Sequence, residues 1–303
     1  MMIENTGTGT VDEALTPESV FALIGNEFRA EILRTLGEAQ GQEGPPPILS
    51  FSELHSRADV AIDSSQFNYH LQQLVGYFVN QTDDGYQLRH EGTTLYRTIL
   101  AGTFTRHASV PSFDVGITCY FCETEVVATY DNGRFSIRCP GCKHVYDEIT
   151  APPSVADADN KNELLSRLDQ YSRHRVLAFS HGVCSICVNS LDTQFLSGPE
   201  TGISGGDHLD VFVHRSCGHC GAQQYMSVGM ALLYRPELVS FFHERGLDVT
   251  TTPIWELEFA MTDRHVAIRS TDPWEVVLRL TRAGDTLELV VDDELATIER
   301  NHS

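Results

Sequence analysis

Residues 119–142 are CYFCETEVVATYDNGRFSIRCPGC, with a Cys-x-x-Cys pair at each end. Two cysteines three positions apart on a tight turn aim both sulfurs at one point. Two such turns make the four-thiolate cage that Zn²⁺ prefers. Between the pairs, Asp131-Asn132-Gly133 is a hairpin signal flanked by two strand-forming runs. The stretch therefore predicts a zinc ribbon with four ligands: Cys119, Cys122, Cys139 and Cys142.

The other four of the eight cysteines form a second pair of pairs, Cys184/Cys187 and Cys217/Cys220. Twenty-nine residues separate these pairs, against sixteen in the first module. Ser197–His208 is rich in Gly and Ser, and removing these twelve residues leaves a normal spacing of seventeen. We therefore predict a second zinc ribbon. His181, His214 and His219 lie close in sequence and could replace a thiol, but four cysteines already complete the site.

Two four-thiolate zinc sites predict a structural role, because a catalytic zinc keeps one coordination position open. The sequence contains no His-Glu-x-x-His, no phosphate-binding Gly-rich loop and no Gly-x-Ser-x-Gly. A thioredoxin-like redox motif would need a βαβ setting, which the pattern lacks. We expect no catalytic residues and no enzymatic activity.

The composition is strongly acidic, with a net charge of −21 over 303 residues. Lys143 and Lys161 are the only lysines among 21 basic residues. Such a surface resembles that of proteins from salt-loving archaea, in whose molar salt the Debye length is about 3 Å. The negative charge therefore indicates a salt-rich solvent and does not indicate the charge of a binding partner. The first residues lack a signal-peptide pattern, and no apolar run is long enough to span a membrane. We expect a cytoplasmic protein, whose reducing setting favours metal ligands over disulfides.

The first hundred residues predict helices and one hairpin, after a disordered tail at 1–14. Thr16-Pro17 starts a helix that Gly25-Asn26 interrupts, and a Gly/Pro-rich loop at 41–47 ends this unit. Ser50–Glu53 is a capping box, and Asp63 or Ser64 caps the next helix. Asp83-Asp84-Gly85 predicts a β-hairpin, followed by a helix at about 91–106.

Parts of this region resemble a known family. The runs IGNEFRAEILRTL (24–36), SSQFNYHL (64–71) and GYQL (85–88) resemble haloarchaeal ArsR-like winged helix-turn-helix regulators, over about residues 15–108. The cysteine-rich remainder resembles the C-terminal half of haloarchaeal proteins of this type. The resemblance implies a recognition helix that binds double-stranded DNA. Winged helices commonly bind as two-fold dimers, so a homodimer is a further expectation.

The residues of the helix that starts at Asp63 or Ser64 support DNA contact independently of the family resemblance. Burying Phe67, Leu71 and Leu74 would turn the polar side chains between them outward. Amides there can pair with base edges, and hydroxyls can bond phosphates. The alternative is a merely solvated polar helix face. The candidate DNA-binding residues are Ser64, Ser65, Gln66, Asn68, Tyr69, Gln72 and Gln73, with Arg57 and Arg89 for the backbone.

Two features restrict this interpretation. Metal-sensing members of the family carry cysteines in the helix before the recognition helix, whereas residues 51–57 contain no thiol. Residues 15–106 carry six arginines and eleven acids, a net charge of −5 (6 − 11). A protein that binds DNA by releasing counterions would instead carry a net positive charge in this region. We therefore expect DNA binding with an unusually shallow salt dependence.

The C-terminal part predicts a mixed region. Residues 151–160 have the composition of a linker, and helices follow at 163–179 and at about 228–245. Short strands are predicted at 254–261, 265–270, 274–281 and 287–291, with a hairpin turn at 283–285.

The predicted fold class is α+β: a winged helix-turn-helix at 15–108, a zinc ribbon at 115–150, then a helix, a second ribbon and an antiparallel β-rich region within 161–303. The predicted function is DNA-binding transcriptional regulation. Two alternatives stay open: a thiol-based redox or metal sensor that uses the ribbons, and a protein-interaction adaptor whose winged helix does not bind DNA. The effector ligand or protein partner is not indicated.

Overall fold

A computed structural model describes residues 16–40, 47–203 and 208–302. Over these residues the fold is α+β, with nine α-helices and thirteen strands in antiparallel sheets. They form two compact units that divide between Thr105 and Arg106. The tail predicted at 1–14, residues 41–46 of the predicted loop and residues 204–207 of the predicted insert lie outside the described residues.

Capping side chains set the starts of the first four helices. These helices are α1 (Pro17–Ile24), α2 (Glu27–Ala39), α3 (Phe51–Arg57) and α4 (Ser64–Leu74). Side-chain oxygens accept hydrogen bonds from first-turn amides in each helix, in turn from Thr16, Asn26, Ser50 and Asp63. Each such cap contributes about 1 kcal/mol. The predicted capping box at Ser50 and Glu53 is confirmed.

The hairpin and a fifth helix complete the first unit. Strands β1 (Val79–Thr82) and β2 (Gly85–Leu88) pair antiparallel across Asp83-Asp84, as predicted. Helix α5 (His90–Leu100) is shorter than predicted, because Gly102 takes a left-handed backbone (φ 79°) that stops it. The core between these elements includes buried apolar side chains such as Ile32, Leu54, Phe67, Leu71 and Leu88, and partly buried side chains of α1 and α5 pack against it.

A four-stranded sheet opens the second unit. Its strands, β3 (Ser109–Thr118), β4 (Glu125–Asp131), β5 (Arg134–Arg138) and β6 (Val145–Thr150), lie in sequence order. The β4–β5 hairpin confirms the prediction, and its turn places Asn132 and Gly133 at positive φ. Strands β3 and β6 were not predicted.

The segment predicted as a linker forms local structure in the second unit. It contains a 3-10 turn at Pro153–Asp157, in which Pro153 is buried. Arg106 pairs with Asp157 at 2.6 Å. Asn160 then caps helix α6 (Lys161–Ser180), which covers the predicted helix at 163–179.

A three-stranded sheet follows α6. Its strands are β7 (Asp192–Ser197), β8 (Val211–Ser216) and β9 (Gln223–Ser227), again in sequence order. Ser197 pairs with Val211, so the predicted insert lies at the end of the β7–β8 hairpin. Gly198–Thr201 of this connection forms a 3-10 turn.

Two predictions in the next segment are wrong. Residues 228–245 form two helices, α7 (Val228–Ala231) and α8 (Pro236–His243), because Pro236 lacks an N–H and begins a new helix. The strand predicted at 254–261 is instead a 3-10 turn (Ile254–Glu256) and helix α9 (Glu258–Met261). A short apolar run is compatible with either a strand or a helix.

The chain ends in a second four-stranded antiparallel sheet. It contains β10 (Val266–Thr271), β11 (Trp274–Arg282), β12 (Asp285–Val291) and β13 (Thr297–His302). The first three strands confirm predictions, whereas β13 was not predicted. One apolar core runs through the second unit from Phe113 to Leu295. Within the described ranges, every helix is too short or too polar to cross a membrane.

Candidate metal centres and an exposed helical face

The first group of four cysteines lies at the ends of strands β3, β4, β5 and β6. Its four sulfurs all lie within 4.8 Å of one another. The Sγ atoms of Cys119 and Cys142 are 3.6 Å apart, and those of Cys122 and Cys139 are 3.3 Å apart. Cys119 and Cys139 are buried, while Cys122 is exposed. The structure thus brings together all four residues predicted for this site.

The second group has the same arrangement. Its sulfurs also lie within 4.8 Å of one another, with Cys184 and Cys220 3.6 Å apart and Cys187 and Cys217 3.5 Å apart. The predicted insertion therefore does not prevent the two pairs from meeting. His181 is directed elsewhere, since its Nδ1 lies 2.9 Å from the carbonyl oxygen of Leu177.

Each of the four Cys-x-x-Cys pairs is built on the same backbone turn. The residue after each second cysteine takes a left-handed φ between 60° and 73°, and its amide donates to the carbonyl of the first cysteine at 3.0 Å. The amide of each first cysteine donates to a carbonyl five residues ahead, at 2.8–2.9 Å. The left-handed residues are Glu123, Lys143, Val188 and Gly221. Three of the four are not glycine, and a left-handed backbone costs such residues about 1–2 kcal/mol. The same turn is therefore kept four times despite its cost.

Either group could hold a metal ion. Four sulfurs placed tetrahedrally at about 2.3 Å from a zinc ion would be about 3.8 Å apart, close to the separations of 3.3–3.6 Å within each group. A disulfide would require about 2.05 Å, and all eight cysteines are free thiols. The donor set is closed, because four sulfurs fill a tetrahedral shell.

The thiols within a group differ in acidity. Hydrogen bonding to Thr124, whose Oγ1 lies 3.3 Å from Cys122 Sγ, lowers the pKa of Cys122. Hydrogen bonds from Asn189 likewise lower the pKa of Cys187. Burial, in contrast, raises the pKa of Cys142. Four adjacent thiolates would repel one another, and a divalent cation between them removes that repulsion. The sites are therefore suited to a cation rather than to four bare thiolates.

Helix α4 presents a continuous polar face in the first unit. Phe67, Leu71 and Leu74 are fully buried and His70 is partly buried against Phe28, so the other side chains of the helix are turned away from the core. All seven helix residues predicted to contact DNA are exposed: Ser64, Ser65, Gln66, Asn68, Tyr69, Gln72 and Gln73. Tyr69 is 60% exposed, and its ring meets the ring of His70 edge-on at 5.3 Å between centroids.

The two predicted cations differ in availability. Arg57, at the end of α3, is exposed. Arg89 donates from Nη1 to the carbonyl of Gly76 at 2.6 Å and lies 3.3 Å from Glu91. Arg57 can therefore reach a phosphate freely, whereas Arg89 would first have to give up internal contacts.

Comparison with known families separates the same two regions. Residues 116–297, which contain both cysteine groups, match the family described as "Domain of unknown function (DUF7351)". The chain belongs to the DUF7351 family. Residues 17–99, which contain α4 and the hairpin, match the family described as "Domain of unknown function (DUF7347)". No curated protein and no solved structure matches the chain.

Two residues of the DUF7351 region that sequence reasoning missed contact the thiols directly. Thr124 and Asn189 each stand two positions after the second cysteine of their pair, and Asn189 Nδ2 lies 3.4 Å from Cys187 Sγ. A polar residue two positions after the second cysteine, in both Thr124 and Asn189, was the sequence signal for these contacts.

Two cations lie next to the second Cys-x-x-Cys pair of the first group, Arg138 and Lys143. Arg138 pairs with Glu148, so a carboxylate shares its charge. Lys143 Nζ donates to the carbonyl of Pro140 at 2.7 Å, within the same turn. Arg264 donates to the carbonyl of Tyr120, so each of the two Cys-x-x-Cys turns of this group holds one cation by a hydrogen bond.

Proposed function

We propose that the protein is a DNA-binding transcriptional regulator. In this proposal α1–α5 and the β1–β2 hairpin form a winged helix-turn-helix, and α4 enters the major groove. The observation that carries it is the face of α4, which offers amides and hydroxyls over its whole length while Phe67, Leu71 and Leu74 fix the helix to the core. Amide side chains such as Gln66 and Gln72 suit the paired donor and acceptor on adenine.

The electrostatics of the first unit limit how DNA would be held. The hairpin tip carries Asp83 and Asp84, both exposed, which would repel phosphates. Arg57 is the cation best placed to contact the backbone. Affinity must therefore depend mainly on hydrogen bonds and shape, which suits binding in molar salt, where charges are strongly screened.

For the DUF7351 region we propose two structural zinc ribbons. Zinc is favoured over harder cations because all ligands in each group are thiolates. The closed donor set leaves no position for a substrate, which supports a stabilising role. Small modules with thin cores commonly depend on such metal binding for folding. Dimerisation on paired half-sites belongs to the proposal as well.

The test is genomic occupancy in the native organism, measured by immunoprecipitation of the tagged chain. The triple variant Gln66→Ala, Tyr69→Ala, Gln72→Ala alters three exposed side chains and leaves the core intact. We expect discrete bound sites for the wild type and their loss in the variant. The control is Thr94→Ala, an exposed polar position on α5. Unchanged occupancy in the triple variant would instead support an adaptor that does not read DNA.

A second candidate function is thiol-based sensing. One observation favours it: each group has an exposed cysteine, Cys122 and Cys220, which an oxidant could reach. Mild peroxide should then release zinc and change DNA affinity together. Zinc release without any change in DNA affinity would leave only the structural role.

A further inference from the structure

A cavity of about 600 Å³ lies in the second unit. Strands β5 and β6, helix α6 and strand β9 contribute its polar lining, and α7 and α9 contribute further residues. Strands β6 and β9 are edge strands of their two sheets. Its volume is within the range of small-molecule sites, about 300–1,000 Å³. None of the eight cysteines lines it, so the cavity is distinct from both candidate metal centres.

One part of the cavity wall is formed by methionines. The chain has five methionines, of which two are Met1 and Met2. The other three, Met226, Met230 and Met261, come from β9, α7 and α9, and all line the cavity. Methionine is flexible and polarisable, and it is used on surfaces that accept varied apolar ligands. Their convergence gives the cavity an adaptable apolar wall.

The other part of the wall carries an excess of guanidinium groups. Arg134 and Arg138 both pair with Glu148, so one carboxylate serves two cations. The Nε of Arg138 is buried without a hydrogen-bond partner among the described residues. Arg175 lines the cavity too, and the carboxyl on which its charge acts is that of Asp147. The cavity therefore offers donors that its own acceptors do not satisfy.

The other carboxyl that lines the cavity, Asp147, does not neutralise the positive charge of its arginines. Burial raises the pKa of Asp147 to about 7, and Ser172 hydrogen-bonds to it. Near neutral pH Asp147 is thus only partly ionised. Three guanidiniums face Glu148 and this half-neutral acid, which leaves positive charge in a chain whose net charge is −21. A local positive excess in so acidic a protein favours an anionic occupant.

We propose that this cavity binds a small organic acid, with its carboxylate on Arg175 and its apolar body against Met226, Met230 and Met261. A guanidinium presents two parallel N–H donors that match a carboxylate. The proposal does not depend on DNA binding, and it assigns the DUF7351 region a ligand-binding role besides metal binding.

The test uses the full chain in molar KCl and two fluorescent probes, dansylglycine and dansylglycinamide. The probes share one apolar body and differ only in carboxylate against neutral amide. We expect the acid to bind the wild type at least about 10-fold more tightly, as a charge-assisted hydrogen bond implies. Arg175→Gln should remove this preference and leave amide binding within about 2-fold. Arg97→Gln, an exposed arginine of the first unit, is the control.

A second variant covers the case in which Arg175→Gln fails to fold. Met230→Trp places a larger side chain in the cavity and should weaken both probes together. Equal affinity of the wild type for acid and amide would overturn the proposal. Absence of binding by both probes, or full acid binding by Met230→Trp, would do so as well.

Discussion

Replacing Asp169 by asparagine should strongly destabilise the second unit, because it leaves a buried cation without its partner. Asp169 Oδ2 and Arg173 Nε are 2.7 Å apart on α6, and each residue is 3% exposed. Asp169 Oδ1 also accepts from the amide of Ile254 at 3.0 Å. Arg173 donates to the carbonyls of Val249 and Thr252. The pair thus attaches the segment before α9 to the middle of α6.

The magnitude follows from what the substitution removes. Asparagine can still accept from Ile254, so that hydrogen bond is kept, whereas the carboxylate charge and the Oδ2 acceptor for Arg173 Nε are lost. Breaking one partner of a buried ion pair costs about 3–5 kcal/mol. Arg173 keeps its two carbonyl acceptors, so we expect the lower end, about 3 kcal/mol. Adding Arg173→Met removes the unpaired cation, and the double variant should be less destabilised than the sum of the singles.

The assay is urea unfolding in molar KCl, followed by tryptophan fluorescence. Both tryptophans, Trp255 and Trp274, lie in the second unit, so the signal reports that unit alone. Arg167→Gln is the matched control, since it breaks an exposed Glu–Arg pair with Glu163 on the same helix. An exposed pair contributes less than about 1 kcal/mol. Equal losses for Asp169→Asn and Arg167→Gln would refute the reasoning.

Three further predictions concern metal, protons and salt. The wild type should release two equivalents of zinc on denaturation and Cys187→Ser only one; two equivalents from the variant would contradict the second site. Because burial raises the pKa of Asp147 to about 7, the folded chain keeps a proton that the unfolded chain loses above its ordinary pKa. Stability should therefore fall as pH rises from about 4 to about 7, by at most about 1.4 kcal/mol per pH unit. Asp147→Asn, measured by urea unfolding across that range, should lose this dependence; parallel pH profiles would contradict it. Finally, DNA affinity should change little between moderate and molar KCl, since the first unit offers few cations for counterion release; a steep loss in a binding titration would contradict this.

Elements with a local chemical signal were predictable from the sequence. The caps at Thr16, Ser50 and Asp63 set helix starts by side-chain hydrogen bonds to nearby amides, so their pattern is visible in a few residues. The cysteine pairs are equally local, because ligand spacing follows from the turn that carries them. The second group of four cysteines was also predicted correctly, because the insertion between its two pairs lies at the end of a hairpin and leaves the paired strands unchanged.

Elements decided by tertiary packing were missed. Strand β13 is mostly exposed and forms because β12 offers it a paired edge. The apolar run before Met261 reads as a strand, yet the close approach of Gly229 to the carbonyl of Phe259 places it against α7 as a helix. Asp169 and Arg173 are only four residues apart on α6, but their burial against the segment from Val249 to Ile254 is a long-range contact that no local window shows. Tertiary contacts of this kind override the local propensity of a segment for strand or helix.

The most direct test of DNA reading compares two affinities of one protein. A DNA duplex recovered by immunoprecipitation and a scrambled duplex of the same composition would be titrated by fluorescence anisotropy in molar KCl. Base contacts are specific and phosphate contacts are not. The variant Gln66→Ala, Tyr69→Ala, Gln72→Ala should therefore bind the recovered site at least about 10-fold more weakly than the wild type, because it loses one or two side-chain contacts with base edges. It should bind the scrambled duplex with the same affinity as the wild type. Equal binding of the recovered site by variant and wild type would contradict the account.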